Sequence, residues 1–139
     1  MSRYVVDASV LVKTVVEEVG TPEALTLLSD QAVVAPDLVL TECANVLWKK
    51  VRLGEFAREE AEVASQILQR VDIELVPSRP LVDAAVRLAL RLDHPAYDCV
   101  YLALARRLQV PLITADQRLV RKLAEAGEKY SALVVPLNP

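Results

Sequence analysis

The stretch Tyr4-Val5-Val6-Asp7-Ala8-Ser9 is a short apolar run that ends directly at an aspartate and then changes to a helix-like segment. The same order returns in Leu112-Ile113-Thr114-Ala115-Asp116. Runs that are apolar on both faces are typical of strands buried in a parallel sheet, and such sheets bind ligands beyond the carboxyl ends of their strands. We therefore predict that Asp7 and Asp116 project from one sheet edge, where a functional site lies.

The rest of the chain continues this alternation of strand and helix. We predict five strands, over about 4–6, 32–35, 73–76, 111–114 and 133–135, and seven helices, over about 8–18, 21–29, 38–52, 58–70, 80–92, 97–108 and 116–126. Thr21 is expected to cap the second helix with Pro22 in its first turn, and Gly54 and Gly127 to follow helix ends. The helix over 80–92 is expected to bury one face, formed by Val82, Ala85, Val86, Ala89 and Leu90. The order predicts an α/β sandwich around a mostly parallel sheet, as one domain over residues 1–139.

Composition bounds the class of protein. Of the 139 residues 53% are hydrophobic, and the mean hydropathy of +0.29 is high for a small domain, which favours an oligomer or a tightly bound partner. No apolar run reaches the ~18 residues of a membrane span, and residues 1–4 carry no signal-peptide pattern, so we expect a cytoplasmic protein without membrane association. Cys43 and Cys99 have no neighbouring Cys/His motif, and we expect buried, reduced thiols rather than a zinc or redox site.

Two further acids accompany Asp7 and Asp116. Glu42 lies near the start of the helix after strand 2, and Asp98 lies in the first turn of the helix before strand 4. Singly, each acid also fits a helix cap or a partner of the helix dipole. Together they would repel one another and require a cation, and carboxylates suit Mg²⁺ or Mn²⁺. The net charge of −3 disfavours nucleic-acid binding through bulk positive charge. The residues alone therefore predict metal-assisted phosphoryl chemistry but do not specify RNA.

Four motifs together resemble a known family. They are Val5-Val6-Asp7-Ala8-Ser9, Pro36-x-Leu38-x-x-x-Glu42-x-x-Asn45, His94-x-x-Tyr97-Asp98 and Thr114-x-Asp116, and they cover essentially the whole chain in order. The pattern resembles the PIN-domain ribonucleases, and more closely the VapC toxins of toxin–antitoxin pairs. The resemblance implies an α/β/α sandwich with a parallel five-stranded sheet ordered 3-2-1-4-5. It also implies Mg²⁺- or Mn²⁺-dependent cleavage of single-stranded or looped RNA, a homodimer, and a VapB antitoxin whose C-terminal segment occupies the groove.

The resemblance also assigns roles to individual residues. Asp7 and Asp98 are expected to be direct metal ligands, with Glu42 and Asp116 completing the cluster directly or through water. Ser9 and Thr114 are expected to orient carboxylates or water, although Thr114 also fits an ordinary strand residue. Asn45 is expected to bond Glu42 or the scissile phosphate, or else to be an exposed polar residue. His94 precedes a proline, and we assign it a structural role in a turn rather than that of a general base.

Several side chains are candidates for RNA contact. Lys13 is the most interesting cation because the first helix begins at the proposed site, while Trp48, Tyr97 and Tyr101 fit either base stacking or core packing. The remaining candidate phosphate contacts are Lys49, Lys50, Arg52, Arg106, Arg107, Arg118, Arg121 and Lys122.

Other functions for a small acidic α/β domain fit less well. A receiver-type signalling domain needs an aspartate after strand 3 and a lysine after the last strand, where this chain has Pro77-Ser78-Arg79 and Pro136-Leu137-Asn138. A haloacid-dehalogenase-type phosphatase needs an aspartate where Ser9 stands. The alternative that stays open is a non-catalytic PIN-like module that binds RNA or a protein.

Overall fold

The computed structural model describes residues 2–138, whose centre is a five-stranded sheet. The strands are β1 (Arg3–Val6), β2 (Ala32–Pro36), β3 (Glu74–Val76), β4 (Leu112–Thr114) and β5 (Val134–Pro136). All pairings are parallel and the spatial order is β3-β2-β1-β4-β5. The strand order reverses between β1 and β4, so the carboxyl ends of these two strands flank the switch point of the sheet. The expected strand order and all five strands are confirmed, and each strand end lies within one residue of its predicted position.

Helices flank the sheet and complete an α/β/α sandwich. They are α1 (Ala8–Leu11), α2 (Thr21–Asp30), α3 (Leu38–Arg52), α4 (Arg58–Leu68), α5 (Val82–Leu92), α6 (Ala96–Leu108), α7 (Gln117–Ala126) and α8 (Glu128–Ser131). Short 3₁₀ turns over Val12–Thr14 and Arg79–Leu81 extend α1 and precede α5. α6 packs across β1, β2 and β4, so it lies next to the switch point. Every helix of the described part is too short or too polar to cross a lipid bilayer.

The core lies where the central strands meet these helices. Val5, Val34 and Leu112, one from each central strand, are fully buried, whereas the edge strand β3 is largely exposed. Burial of each such side chain contributes about 1.5–3 kcal/mol, which anchors the ends of β1 and β4 at the site. Cys43 and Cys99 are buried free thiols, as expected. Burial raises the pKa of Cys43 to about 12 and that of Cys99 to about 11, so both stay protonated at neutral pH.

The first helical segment is shorter than predicted. It ends with the 3₁₀ turn at Thr14 instead of continuing to about residue 18, because the hydroxyl of Thr14 donates to the carbonyl of Leu11 at 2.7 Å and β-branched residues follow it. The predicted cap at Thr21 is also wrong. Gly20, with φ of 95°, occupies the cap position, and the Thr21 hydroxyl instead accepts from the Glu18 amide at 2.9 Å. Thr21 therefore holds the loop before α2 rather than the helix itself.

The buried face of α5 differs from the prediction. Ala85, Leu88 and Leu92 face the core, whereas Val82, Val86 and Leu90 are 53%, 45% and 79% exposed. The amphipathic pattern is ambiguous because apolar residues occupy two stripes of this helix, and packing against α6 selects one of them. The other stripe remains an exposed apolar surface. The one-turn helix α8 was not predicted, since its sequence carries no apolar period.

Candidate active site

Asp7 is the most deeply enclosed carboxylate at the switch point. It follows β1 directly and is only 5% exposed. The hydroxyls of Ser9 and Thr114 donate to its two oxygens, Oδ1 and Oδ2, each at 2.5 Å. The same hydroxyl oxygens accept the backbone amides of Ala115 at 2.9 Å and Asp116 at 3.0 Å. Residues after β1 and β4 therefore form one hydrogen-bonded unit in which Thr114 and Ser9 support Asp7.

The surroundings of Asp7 disfavour the ionised form of its carboxyl group. Burial, with a smaller contribution from the negative charge of Asp98, raises its pKa from 3.8 to about 6, although the hydrogen bonds from Ser9 and Thr114 oppose the rise. At neutral pH the group is still ionised, so the folded chain holds a desolvated negative charge next to another acid. A cation at this position would remove the cost.

Glu42 and Asp98 reach the same edge from α3 and α6. The hydroxyl of Tyr101 donates to Oε1 of Glu42, and Nε2 of His94 lies 2.7 Å from Oδ2 of Asp98. Since an ionised carboxylate only accepts hydrogen bonds, the His94 ring nitrogen is the donor. Burial raises the pKa of Glu42, the Tyr101 bond opposes that rise, and the charge of Asp98 adds to it. Asp98 therefore acts electrostatically on both Asp7 and Glu42.

Asp116 has a different local role. Its Oδ1 accepts the backbone amides of Arg118 at 3.0 Å and Leu119 at 3.3 Å, so it caps the N-terminus of α7. Its own amide is bonded to the Thr114 hydroxyl, which connects it to Asp7 through a single side chain. The cap and the position at the acidic edge are thus compatible, since the second carboxylate oxygen takes no part in capping.

The way in which the carboxylates are held suggests what they can bind. In Glu42, Asp98 and Asp116, donors hold one oxygen, and within residues 2–138 the other oxygen accepts no hydrogen bond. These acids and Asp7 offer hard oxygen ligands of the kind that Mg²⁺ or Mn²⁺ prefers, so the donor set fits such an ion. Across the same described residues, however, no three His, Cys, Asp or Glu side chains are close enough together to hold a metal ion between them.

The structure separates the remaining candidates. Asn45 is exposed and forms no side-chain hydrogen bond within the described part of the chain, so it does not contact Glu42 here. Lys13 donates to Glu18 at 3.1 Å and to the Val19 carbonyl at 2.9 Å, which turns its charge toward the loop before α2. Trp48 is 56% exposed, so core packing is wrong for this residue. The sequence-derived base-stacking role remains open for it.

Tyr101 and His94 are the site residues whose roles sequence reasoning missed. Tyr101 is 1% exposed, which excludes base stacking, and its hydroxyl is committed to Glu42. Burial, followed by the bond and the charge of Glu42, raises the pKa of Tyr101, so the hydroxyl keeps its proton and acts as a donor. The sequence indicates only that Tyr101 lies near the acids, because it stands three residues after Asp98 on the same helix face; it does not indicate the bond to Glu42.

Comparisons with known proteins agree with the fold and show the family of the chain. The family model described as PIN domain matches residues 4–125. Ribonuclease VapC3 of Pyrobaculum aerophilum is 31% identical over 140 residues, covering 96% of this chain and 99% of that protein. The crystal structure of PAE2754 from Pyrobaculum aerophilum superposes with a TM-score of 0.73 at 23% identity, covering 98% of this chain and 90% of that one. VapBC2 from Rickettsia felis, bound to a DNA fragment from its promoter, gives 0.66 at 12% identity, covering 98% and 99%.

The chain is an α/β/α sandwich with a parallel sheet ordered 3-2-1-4-5 and with acids following β1 and β4. The family match over residues 4–125 shows that the chain belongs to the PIN-domain family. Within that family its group is the VapC-type nucleases, to which the relative sharing 31% identity over nearly the full length belongs.

Proposed function

We propose that the protein is a Mg²⁺- or Mn²⁺-dependent endoribonuclease that hydrolyses RNA phosphodiester bonds at the edge formed by Asp7, Glu42, Asp98 and Asp116. The observation that carries the proposal is the desolvated Asp7 carboxylate, held by two hydroxyls and exposed to the charge of Asp98. The desolvated charge costs stability in the metal-free state, and a bound cation would offset that cost.

Different residues at this edge have different proposed roles. Asp7 and Asp98 are the first candidates to hold the ion, with Glu42 and Asp116 completing its surroundings directly or through water. A bound divalent ion makes an attached water more acidic and neutralises charge on a phosphodiester. Ser9 and Thr114 keep the Asp7 oxygens in place, and the N-terminus of α7 beside the site favours an anionic phosphate.

RNA is the proposed substrate because the likeness to a ribonuclease is supported by suitable exposed groups on the helices that carry Asp98 and Glu42. Tyr97, adjacent to Asp98, is 70% exposed and available for stacking on an unpaired base. Trp48 lies on α3, which also carries Glu42, and the guanidinium of Arg52 stands 5.5 Å from its ring centre. Stacking and local cations of this kind can bind single-stranded RNA on a protein whose net charge is −3.

We further propose that the protein is the toxin of a VapBC-type pair and binds a VapB-type antitoxin. A groove of about 400 Å³ between α4 and the segment after α1 supports a protein partner. Its lining combines apolar side chains, such as those of Val15, Phe56 and Val63, with the acids Glu17, Glu59 and Glu60. An amphipathic segment with basic residues on one side matches both features.

A homodimer is proposed on separate grounds. The stripe of Val82, Val86 and Leu90 on α5 projects one apolar side chain per helical turn into solvent. Such a row suits pairing with a second copy about a two-fold axis, because the same stripe then meets itself.

The test of the activity is incubation of the purified protein with total RNA, with and without EDTA, followed by mapping of 5′ ends. Internal cuts at a few positions that require Mg²⁺ or Mn²⁺ and are absent with Asp98→Asn are expected. Cleavage that survives EDTA would contradict a metal site, and trimming only from RNA ends would contradict an endonuclease.

A non-catalytic binding module is the second candidate, and it is favoured by the absence of a preassembled metal-binding group among the described side chains. The two candidates differ in their response to metal. The nuclease is expected to melt at a higher temperature with Mn²⁺, an increase that Asp7→Asn abolishes, whereas a binding module shows no metal-dependent change.

A further inference from the structure

α6 supports two of the four acids at the site. It carries Asp98, and its Tyr101 side chain also holds Glu42 of α3. Asp98 and Tyr101 stand three positions apart on this helix, and Tyr101 reaches across to Glu42 on α3. Glu42 and Tyr101 are 59 residues apart in sequence, so the bond fixes two helices relative to each other at the site. A displacement of α6 would therefore move Asp98 and Glu42 together.

Glu42 needs such a support because its side chain is long and rotatable. It is half-buried in α3, with three side-chain torsions between the backbone and its carboxylate. Tyr101, in contrast, is 1% exposed and belongs to the hydrophobic core, so its ring is held by packing and its hydroxyl points to Glu42. Tyr101 thus determines where the Glu42 side chain points. It donates to Oε1, while Oε2 accepts no hydrogen bond from residues 2–138.

We propose that Tyr101 is a positioning residue, which orients the Glu42 carboxylate for cation binding by donating a hydrogen bond to Oε1. The inference rests on the proposed function for its catalytic consequence, and on the geometry for the bond itself. Tyr101 contacts neither the cation nor the RNA, and its whole effect passes through Glu42.

The test is a double-mutant cycle that reads Mn²⁺ affinity. Tyr101→Phe removes only the hydroxyl and keeps the buried ring. We expect Mn²⁺ binding to weaken about tenfold, with a lower kcat for RNA cleavage and an unchanged KM. In a Glu42→Ala background the same substitution is expected to change nothing, because the group through which Tyr101 acts is gone. Tyr130→Phe, at another buried tyrosine on α8, is the matched control and should behave like the wild type.

A second measurement does not depend on metal or activity. A buried hydroxyl proton in a hydrogen bond to a carboxylate exchanges slowly and gives a proton NMR signal at low field. We expect one such signal in the metal-free wild type that is absent in Tyr101→Phe and shifted or lost in Glu42→Ala. Glu42→Ala keeps the Tyr101 side chain, so this comparison remains decisive even if Tyr101→Phe fails to fold.

The outcomes separate the two claims. An equal loss of Mn²⁺ affinity in both backgrounds, or a hydroxyl signal that Glu42→Ala does not alter, would overturn the positioning role. If the wild type neither binds Mn²⁺ nor cleaves RNA, the proposed function fails, and the NMR comparison alone decides whether Tyr101 holds Glu42.

Discussion

Replacing Asp7 by asparagine is expected to stabilise the metal-free protein at neutral pH, although it removes a residue of the proposed site. The folded chain raises the pKa of Asp7 from 3.8 to about 6, chiefly through burial. The unfolded chain therefore loses this proton at lower pH than the folded chain does. Between these two values stability falls as pH rises, and above pH 6 the ionised group costs about 3 kcal/mol.

Asparagine at position 7 removes the buried charge but weakens the hydrogen bonds that the carboxylate accepts. It offers one oxygen to the hydroxyls of Ser9 and Thr114, where aspartate offers two, and its amide then faces a hydroxyl that already accepts a backbone N–H. The weaker bonding costs about 1 kcal/mol, so the net gain above pH 7 is about 2 kcal/mol. For a domain of this size that corresponds to a melting temperature about 8 °C higher. At pH 4, where Asp7 of the wild type is protonated in the folded state, the variant should be the less stable protein by about 0.5 kcal/mol.

The assay is urea unfolding in EDTA at intervals from pH 4 to pH 8, with Asp72→Asn at an exposed aspartate as control. The stability curves of wild type and Asp7→Asn should cross between pH 4 and pH 6, while Asp72→Asn should follow the wild type. A variant that is less stable than the wild type at pH 8 would refute the reasoning that Asp7 is a strained, desolvated carboxylate.

Three further predictions concern the surroundings of the site. Burial would raise the pKa of Glu18, but hydrogen bonds from Lys50 and Lys13 outweigh it and lower the pKa. Glu18→Gln should therefore lose about 1 kcal/mol at pH 7, and in urea unfolding this loss should shrink as pH falls below 4.5, the ordinary pKa of the group. His94→Ala should slow RNA cleavage by about tenfold with His94→Gln recovering most of it, because His94 acts through Asp98; a loss above about 10²-fold would instead indicate proton transfer. Leu90→Glu should convert a dimer to a monomer in light scattering, and a monomeric wild type would contradict the role given to α5.

The sheet could be predicted from sequence because its strands are apolar on both faces and each ends at a clear signal. Asp7, Pro36 and Asp116 mark the ends of β1, β2 and the turn after β4, and the observed elements follow them closely. α1 was predicted too long, because a 3₁₀ turn bonded through the Thr14 side chain has no apolar period that would distinguish it. Local signals therefore located the elements and were weaker at the irregular turns.

The sequence predicted which acids form the candidate site better than it predicted the hydrogen bonds that hold them. The positions of Asp7 and Asp116 follow from parallel strands meeting at one edge, whereas Glu42 and Asp98 depended on a family resemblance. Tyr101 was beyond sequence reasoning, because its bond to Glu42 joins two helices whose relative placement is a tertiary property. The two apolar stripes of α5 were ambiguous for the same reason, since only packing against α6 decides which is buried.

The most direct test of the central claim is a titration of the metal-free protein with Mn²⁺, followed by electron paramagnetic resonance of the free ion. Saturable binding by the wild type, strongly weakened in Asp7→Asn and in Asp98→Asn but retained in Asp72→Asn, is the predicted result. Binding that is equal in all four proteins, or undetectable in the wild type at millimolar Mn²⁺, would contradict a carboxylate metal site at the edge between β1 and β4.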